Sequence, residues 1–274
     1  MENNDTNENL EHTTGQTENG GGDELSHSDK MIGVFSEPSN MFENTAKFPP
    51  RTKDWLIPIL ILFLVIALIR IIAMSNSEVA YETKKAQVDR IEKMVEDGTL
   101  TREQGDRALE QIDQQSKFMS GPIGWVITVV STIIFGGIFF FIMVGIYFLL
   151  IKFGLKGEGG YNSALVANGL TAYITLLQMI LGGILTMVFG RMIMDTSLAS
   201  VLGTDKATIT GWLFAKIDPI SIWAYSVLSI GFAKMFRAKS TTPYFILVFA
   251  IWLIGGLIMY FIAVNVPMLR GMLQ

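Results

Sequence analysis

The residue types that most often carry chemistry are scarce in this sequence. Cysteine is absent, and the two histidines, His12 and His27, fall in a polar N-terminal stretch. Without a thiol there is no cysteine nucleophile, disulfide or thiolate metal cluster, and a histidine base in that stretch would lack a scaffold to position it. Serine, aspartate and lysine are present, but none stands in a nucleophile elbow or an intramembrane-protease arrangement. The expectation is therefore no catalytic residue, no metal ligand, no cofactor and no enzymatic activity.

What remains is a set of mild polar groups inside apolar runs: Thr128, Ser131, Thr132, Asn168, Thr171, Thr175, Gln178, Ser226 and Ser229. Pumps and ion-coupled transporters place carboxylates, histidines or arginines at such depths, and these runs have none near their centres. Each hydroxyl or amide can be satisfied by a helix carbonyl or a neighbouring helix. Asn168 and Gln178 also admit a second role, as groups lining a substrate path. Paired glycines recur at Gly136-Gly137, Gly182-Gly183 and Gly255-Gly256. They read either as sites of close helix approach or as points where a helix kinks or breaks. Neither Gly121-Pro-Ile-Gly124 nor the glycine-rich run Gly154 to Gly160 follows a strand, so neither is a phosphate loop.

The elements that carry these groups are membrane spans. The chain is 50% hydrophobic although its first fifty residues contribute little of that. A helix needs roughly twenty apolar residues to cross a ~30 Å hydrocarbon layer. Five stretches are candidates: Trp55 to Met74, Ile123 to Ile151, Ala164 to Phe189, Pro219 to about Phe236, and a last one ending near Val264. Gly121-Pro122 and Asp218-Pro219 are helix starts, and the fourth stretch is the shortest and least apolar. The fold class is all-α, a polytopic five-helix transmembrane bundle occupying residues 55–266, with a C-terminal tail at 267–274.

Residues 1–30 are polar and acidic, without an aromatic side chain, and are predicted to be disordered. Residues 31–54 interleave Met31, Ile32, Val34, Phe35, Met41, Phe42 and Phe48 with polar residues, and Pro38 follows Glu37 as a helix start. That pattern reads as a short interfacial helix against the membrane or the bundle, or as a sticky linker. Residues 78–118 form the soluble element. Val88, Ile91 and Val95, then Ala108, Leu109 and Ile112, give two narrow apolar stripes, while Gly98 and the capping box Thr101-Arg-Glu-Gln104 mark a turn. This is a helical hairpin, either a docking or self-association module or a rigid connector whose stripes pack together. Its balanced charge gives no support for nucleic acid binding.

Basic residues cluster at Lys47, Arg51 and Lys53, at Lys152 and Lys156, and at Lys234, Arg237 and Lys239, all on the face that carries the N-terminus. The opposite face carries Arg191, Lys206, Lys216, Arg270 and the hairpin. Long loops cross largely regardless of charge, so the short clusters place the N-terminus in the cytoplasm.

Ile32-Gly-Val-Phe-Ser-Glu-Pro38 with Met41-Phe42, Gly159-Gly160-Tyr-Asn-Ser163, and Ile217-Asp218-Pro219-Ile-Ser-Ile-Trp223 followed by Gly231-Phe-Ala-Lys234 together resemble the YIP domain family, the Ypt/Rab-interacting proteins. The resemblance covers about Asp29 to the C-terminus. It implies a five-span bundle with a cytoplasmic N-terminal segment able to dock partners, and Asp218 and Trp223 near an interface as anchors. Lys84 to Lys117 looks like an insertion common in prokaryotic members, which implies a bacterial cytoplasmic membrane. Eukaryotic relatives act in Rab binding and vesicle trafficking, which implies a non-enzymatic scaffold or organiser of membrane partners. A small-molecule or lipid transporter is the alternative.

Overall fold

The computed structural model describes residues 23–119 and 121–266, so the tail expected at 267–274 and the disorder expected for residues 1–22 lie outside the described residues. Twelve α-helices follow in order among the described residues. The N-terminal pair is α1 (His27–Ser36) and α2 (Pro38–Thr45). The first crossing is α3 (Lys53–Ser75), the hairpin is α4 (Ser77–Glu96) and α5 (Arg102–Met119), and the second crossing is α6 (Pro122–Leu149). A π-helical turn at Leu150–Gly154 extends α6, and α7 (Tyr161–Phe189) is the third crossing. Two short helices, α8 (Leu198–Leu202) and α9 (Ile209–Ala215), precede α10 (Pro219–Met235). The last crossing is α11 (Thr242–Ala250) and α12 (Gly256–Asn265), joined by a π-helical turn at Ile251–Gly255.

The helix ends follow local chemistry. Gly121 and Asp218 stand before Pro122 and Pro219 as N-caps. Asn76 ends α3 and starts α4, its Oδ1 accepting from the backbone N–H groups of Glu78 and Val79 at 2.9 and 3.2 Å. In the hairpin, the Gln104 N–H donates to Thr101 Oγ1 and the Thr101 N–H to Gln104 Oε1, closing the box, while Gly98 turns with φ +71°. Gly105 packs under Val95 and Ile91, so the two stripes face one another. Lys84 bonds Asp113 across the hairpin at 2.6 Å and holds that carboxyl below its ordinary range.

The core of the bundle is the pairing of α3 with α7. Both begin on the N-terminal face, so they run parallel. Trp55 lies on Gly169, and fourteen residues further along both helices Ile69 lies on Gly183. Ile59, Leu62 and Phe63 fill the interval with Ala172, Leu176 and Met179. Small residues let these backbones approach where lipid offers no hydrophobic driving force between helices. A Cβ at Gly169 would fall on the Cα of Trp55, backbone that cannot swing aside. Gly136 likewise receives the ring of Phe63 from α3.

The paired glycines divide. Gly136 and Gly183 are close-approach sites, Gly182 packs on the Ile193 carbonyl, and Gly256 packs on the Lys216 ammonium. Gly137 and Gly255 face open space, Gly255 closing the π-helical turn of the last crossing. Packing and helix distortion therefore both occur, at different members of the pairs.

The fourth crossing departs from expectation. α10 has 17 residues, about 26 Å of helix, too short for the hydrocarbon layer alone. α9 and α10 are bent by 58° at a short break and form one span only as a pair. Four helices are long and apolar enough to cross unbroken, and the count reaches the expected five when the bent pair is taken as one span.

Gly169→Ala is expected to lower stability by about 1–3 kcal/mol, since the α3–α7 spacing must widen, whereas Gly137→Ala stays within about 0.5 kcal/mol of the parent. Thermal unfolding of both variants in one detergent measures the contrast.

Candidate functional site

Two polar centres are built into the bundle. The first lies where α1 meets the start of α3. Residues 23–30 are not the disordered stretch expected: Ser26 caps α1, its Oγ accepting from the Asp29 N–H while the Asp29 carboxylate accepts the Ser26 N–H. One turn along, Lys30 is only 1% exposed and Asp54, in the first turn of α3, is 0% exposed. Lys30 Nζ bonds Asp54 Oδ2 at 2.6 Å and Glu24 Oε1 at 3.1 Å, and Arg51 pairs with the other Glu24 oxygen.

His27 completes the network. Its Nδ1 lies 3.0 Å from Asp54 Oδ1 and its Nε2 lies 2.8 Å from the Tyr173 hydroxyl of α7. A carboxylate oxygen only accepts, so Nδ1–H donates to Asp54, and Nε2 shares a hydrogen bond with the Tyr173 hydroxyl. The histidine expected to lack a scaffold is therefore held on both ring nitrogens. With both Asp54 oxygens also engaged, the network closes on itself, and its chemical work is to fasten α1 to α3 and α7.

The consequences run along α2. Pro38 occupies the first turn of α2, and Phe42, fully buried, lays its ring on Gly231 of α10, where a Cβ would sit 2.9 Å from the ring edge. Phe35 of α1 meets Trp223 of α10 ring to ring at 5.8 Å. At the end of α10, Lys234 bonds Glu43 and holds that carboxyl below its ordinary range. Gly159 packs against Met235 and Phe236, and Gly160 caps α7. The interfacial segment thus lies against the bundle.

The second centre is at the break in the fourth crossing. From Gly190 the chain turns back along α7: the Ile193 N–H donates to Thr186 Oγ1 at 2.9 Å, and Thr196 reaches the level of Gln178. The parallel register sets Gln178 beside the middle of α3. Asp218, 2% exposed, meets Gln178 Nε2 there at 2.6 Å. Thr196 Oγ1 donates to it at 2.7 Å, Ser221 Oγ at 2.9 Å, and the backbone N–H groups of Ile220 and Ser221 complete the shell.

Asp218 is the expected N-cap, and its carboxylate is buried within the bundle. It is carried by the short link between α9 and α10 rather than by an unbroken apolar run. Lys216, also at the break, lies 5.4 Å from the Trp212 ring and 5.2 Å from that of Trp252. Asn168 donates to the Ala164 carbonyl of its own helix at 2.9 Å, so it and Gln178 are not brought together.

With the fold in place, comparison of the chain with family models matches the Yip1 domain over residues 32–262. The chain belongs to the Yip1 domain family. Comparison with curated proteins and with solved structures returned no match. The matched region of this Yip1-family chain takes in α2, the hairpin and the helices from α3 into α12, and begins inside α1, beyond Glu24, His27 and Lys30.

Sequence reasoning passed over His27, Lys30, Asp54, Tyr173 and Gly169. The one local signal for the first centre was the Ser26-x-x-Asp29 cap. The pairing of Lys30 with Asp54, across 24 residues, has no local signature.

Lys30→Met leaves the Asp54 carboxylate buried beside uncharged neighbours and is expected to cost about 3–5 kcal/mol, while Lys30→Met with Asp54→Leu recovers most of that loss. Limited proteolysis between α2 and α3 together with thermal unfolding in detergent checks both variants.

Proposed function

We propose that this Yip1-family membrane protein is a non-enzymatic scaffold that docks protein partners on the face carrying α1 and α2, and that this face is the cytoplasmic one of a bacterial cytoplasmic membrane. The observation that carries the reading is the fastening of α1 and α2. Their inner sides are consumed by the bundle at Lys30, Val34, Met41 and Phe42, while Met31 and Ile32 stay exposed, Ile32 at 60%. A segment held on one side and apolar on the other is a rigid presenting surface, and rigidity lowers the entropy lost on docking. Much of the bundle interior is filled by an apolar cluster running from Val34 and Phe42 through Leu170 and Ile174 to Phe232 and Val248, beside the smaller one between α3 and α7. The short basic clusters at Lys47 to Lys53, Lys152 and Lys156, and Lys234 to Lys239 support the orientation. The hairpin, with its stripes turned inward, is a connector in this reading.

The second reading, a transporter, draws on the bent α9–α10 pair and the buried Gln178–Asp218 bond at its break, since discontinuous helices line substrate sites in transporters. It requires the returning segment to open.

A photoreactive amino acid at Ile32, activated in intact membranes, is expected to give a discrete protein adduct. Adducts with lipid alone would contradict the scaffold reading, and flux in reconstituted vesicles that Gln178→Ala abolishes would establish the transporter.

A further inference from the structure

Two non-glycine residues among the described residues adopt the left-handed conformation, Lys156 and Arg237, each with φ +56°. Both are basic, and both follow a helix end on the face that carries α1 and α2. The left-handed glycines, Gly98, Gly190 and Gly203, all belong to the hairpin and the segment after α7, on the other face.

The turn at Arg237 has a defined geometry. The Arg237 N–H donates to the Lys234 carbonyl at 3.1 Å and the Ala238 N–H to the Ala233 carbonyl at 2.8 Å. This is the paired-bond cap that ends helices, and glycine is the usual residue at the left-handed position because a Cβ there costs conformational energy. Here an arginine bears that cost. The turn at Lys156 lies alongside, since the Glu158 N–H donates to the Phe236 carbonyl at 3.2 Å and Gly157 packs on the Phe236 side chain.

A cleft opens beside these turns, between α2 and the end of α10, lined by Glu43, Lys47, Lys234 and Arg237. Lys234 is paired with Glu43, and Lys47 donates to the side-chain amide oxygen of Asn44 at 2.8 Å while its charge also acts on Glu43. The exposed Arg237 guanidinium has no hydrogen bond or ion pair among the described residues. Next to the Lys156 turn, Leu149, Leu150 and Phe153 are exposed apolar side chains, Phe153 at 76%, so the basic turns adjoin a lipid-facing surface.

We propose that this cleft binds the head-group phosphate of an anionic phospholipid, held by Arg237 and Lys47 with Lys156 on the adjoining turn, while the acyl chains lie along the end of the second crossing. The two turns accept left-handed strain so that guanidinium and ammonium groups, rather than glycine hydrogens, stand at the membrane surface. Guanidinium suits the task because its planar fork matches two phosphate oxygens.

The test uses the full chain purified in a neutral detergent, with retained lipid counted by native mass spectrometry. The probes are dioleoylphosphatidylglycerol, dioleoylphosphatidylcholine and inorganic phosphate. The parent protein is expected to retain phosphatidylglycerol selectively, with affinity falling about fivefold in Arg237→Gln and about thirtyfold in Lys47→Gln with Arg237→Gln. Arg237→Gly is expected to lose the same affinity while melting no lower than the parent, because the strain is relieved; this separates lost binding from lost folding. Equal retention of phosphatidylcholine would reduce the site to apolar adhesion and overturn the proposal. Equal binding of inorganic phosphate would move the assignment to a soluble anion and overturn it too, as would undiminished phosphatidylglycerol retention in the double variant. None of these outcomes depends on whether Ile32 meets a protein partner.

Discussion

A lysine ammonium enclosed against an aspartate is the constraint from which the arrangement of the N-terminal face follows. Lys30 and Asp54 are each about 1% exposed at the side chain, and neither charge can be left there alone. Taking two ions out of water is repaid only by close geometry and further hydrogen bonds, which Glu24, Arg51, His27 and Tyr173 supply. Because the partners come from α1, α3 and α7, the network fixes three elements at once. α2 is then carried to the end of α10, where Phe42 and Gly231 make the next contact.

The two buried carboxylates are stabilised in different ways. Asp54 is neutralised by a cation, at the end of the bundle where Arg51 and Glu24 still reach solvent. Asp218, at the break between α9 and α10, is bonded among the described residues by dipoles: an amide, two hydroxyls and two backbone N–H groups at the start of α10. The start of a helix favours negative charge, so breaking the fourth crossing at Asp218 supplies part of what a cation would. The broken span and the buried carboxylate are thus one feature. The segment after α7 brings Ile193 onto Gly182 and Thr196 onto Asp218, so its irregular backbone packs on protein at these points while Met194 stays exposed.

Much of the fold was legible because lipid imposes a simple rule. Long apolar runs, two of them opened by Gly-Pro and Asp-Pro, marked the crossings, and the hairpin turn was marked by Gly98 and the Thr101–Gln104 box. The fourth crossing was harder to read because its outer part, α9, is separated from α10 by Lys216-Ile217-Asp218, which looks like the edge of a loop. Asp218 could be recognised as a cap from Pro219, but its meeting with Gln178 depends on how α10 and the segment after α7 pack against α7. The register of α7 against α3 rests on Gly183 and on Gly169, a glycine outside the conspicuous pairs. The first centre was concealed more fully. Lys30 and His27 sit in a polar stretch whose composition resembles a solvated tail, and only the tertiary contact with Asp54 makes ordering them favourable. His27 illustrates the difference: composition placed it on a tail, whereas one aspartate and one tyrosine from two crossings hold its ring.

The account stands most directly on the claim that α1 and α2 are integral parts of the bundle. Hydrogen exchange of the full chain in lipid nanodiscs, followed peptide by peptide, measures this. The account predicts that backbone amides of residues 30–36 and 41–45 exchange as slowly as those in the first turns of α7, over minutes to hours. Exchange of those amides within seconds, with α7 protected, would mean that the N-terminal helices are free of the bundle and would contradict the account.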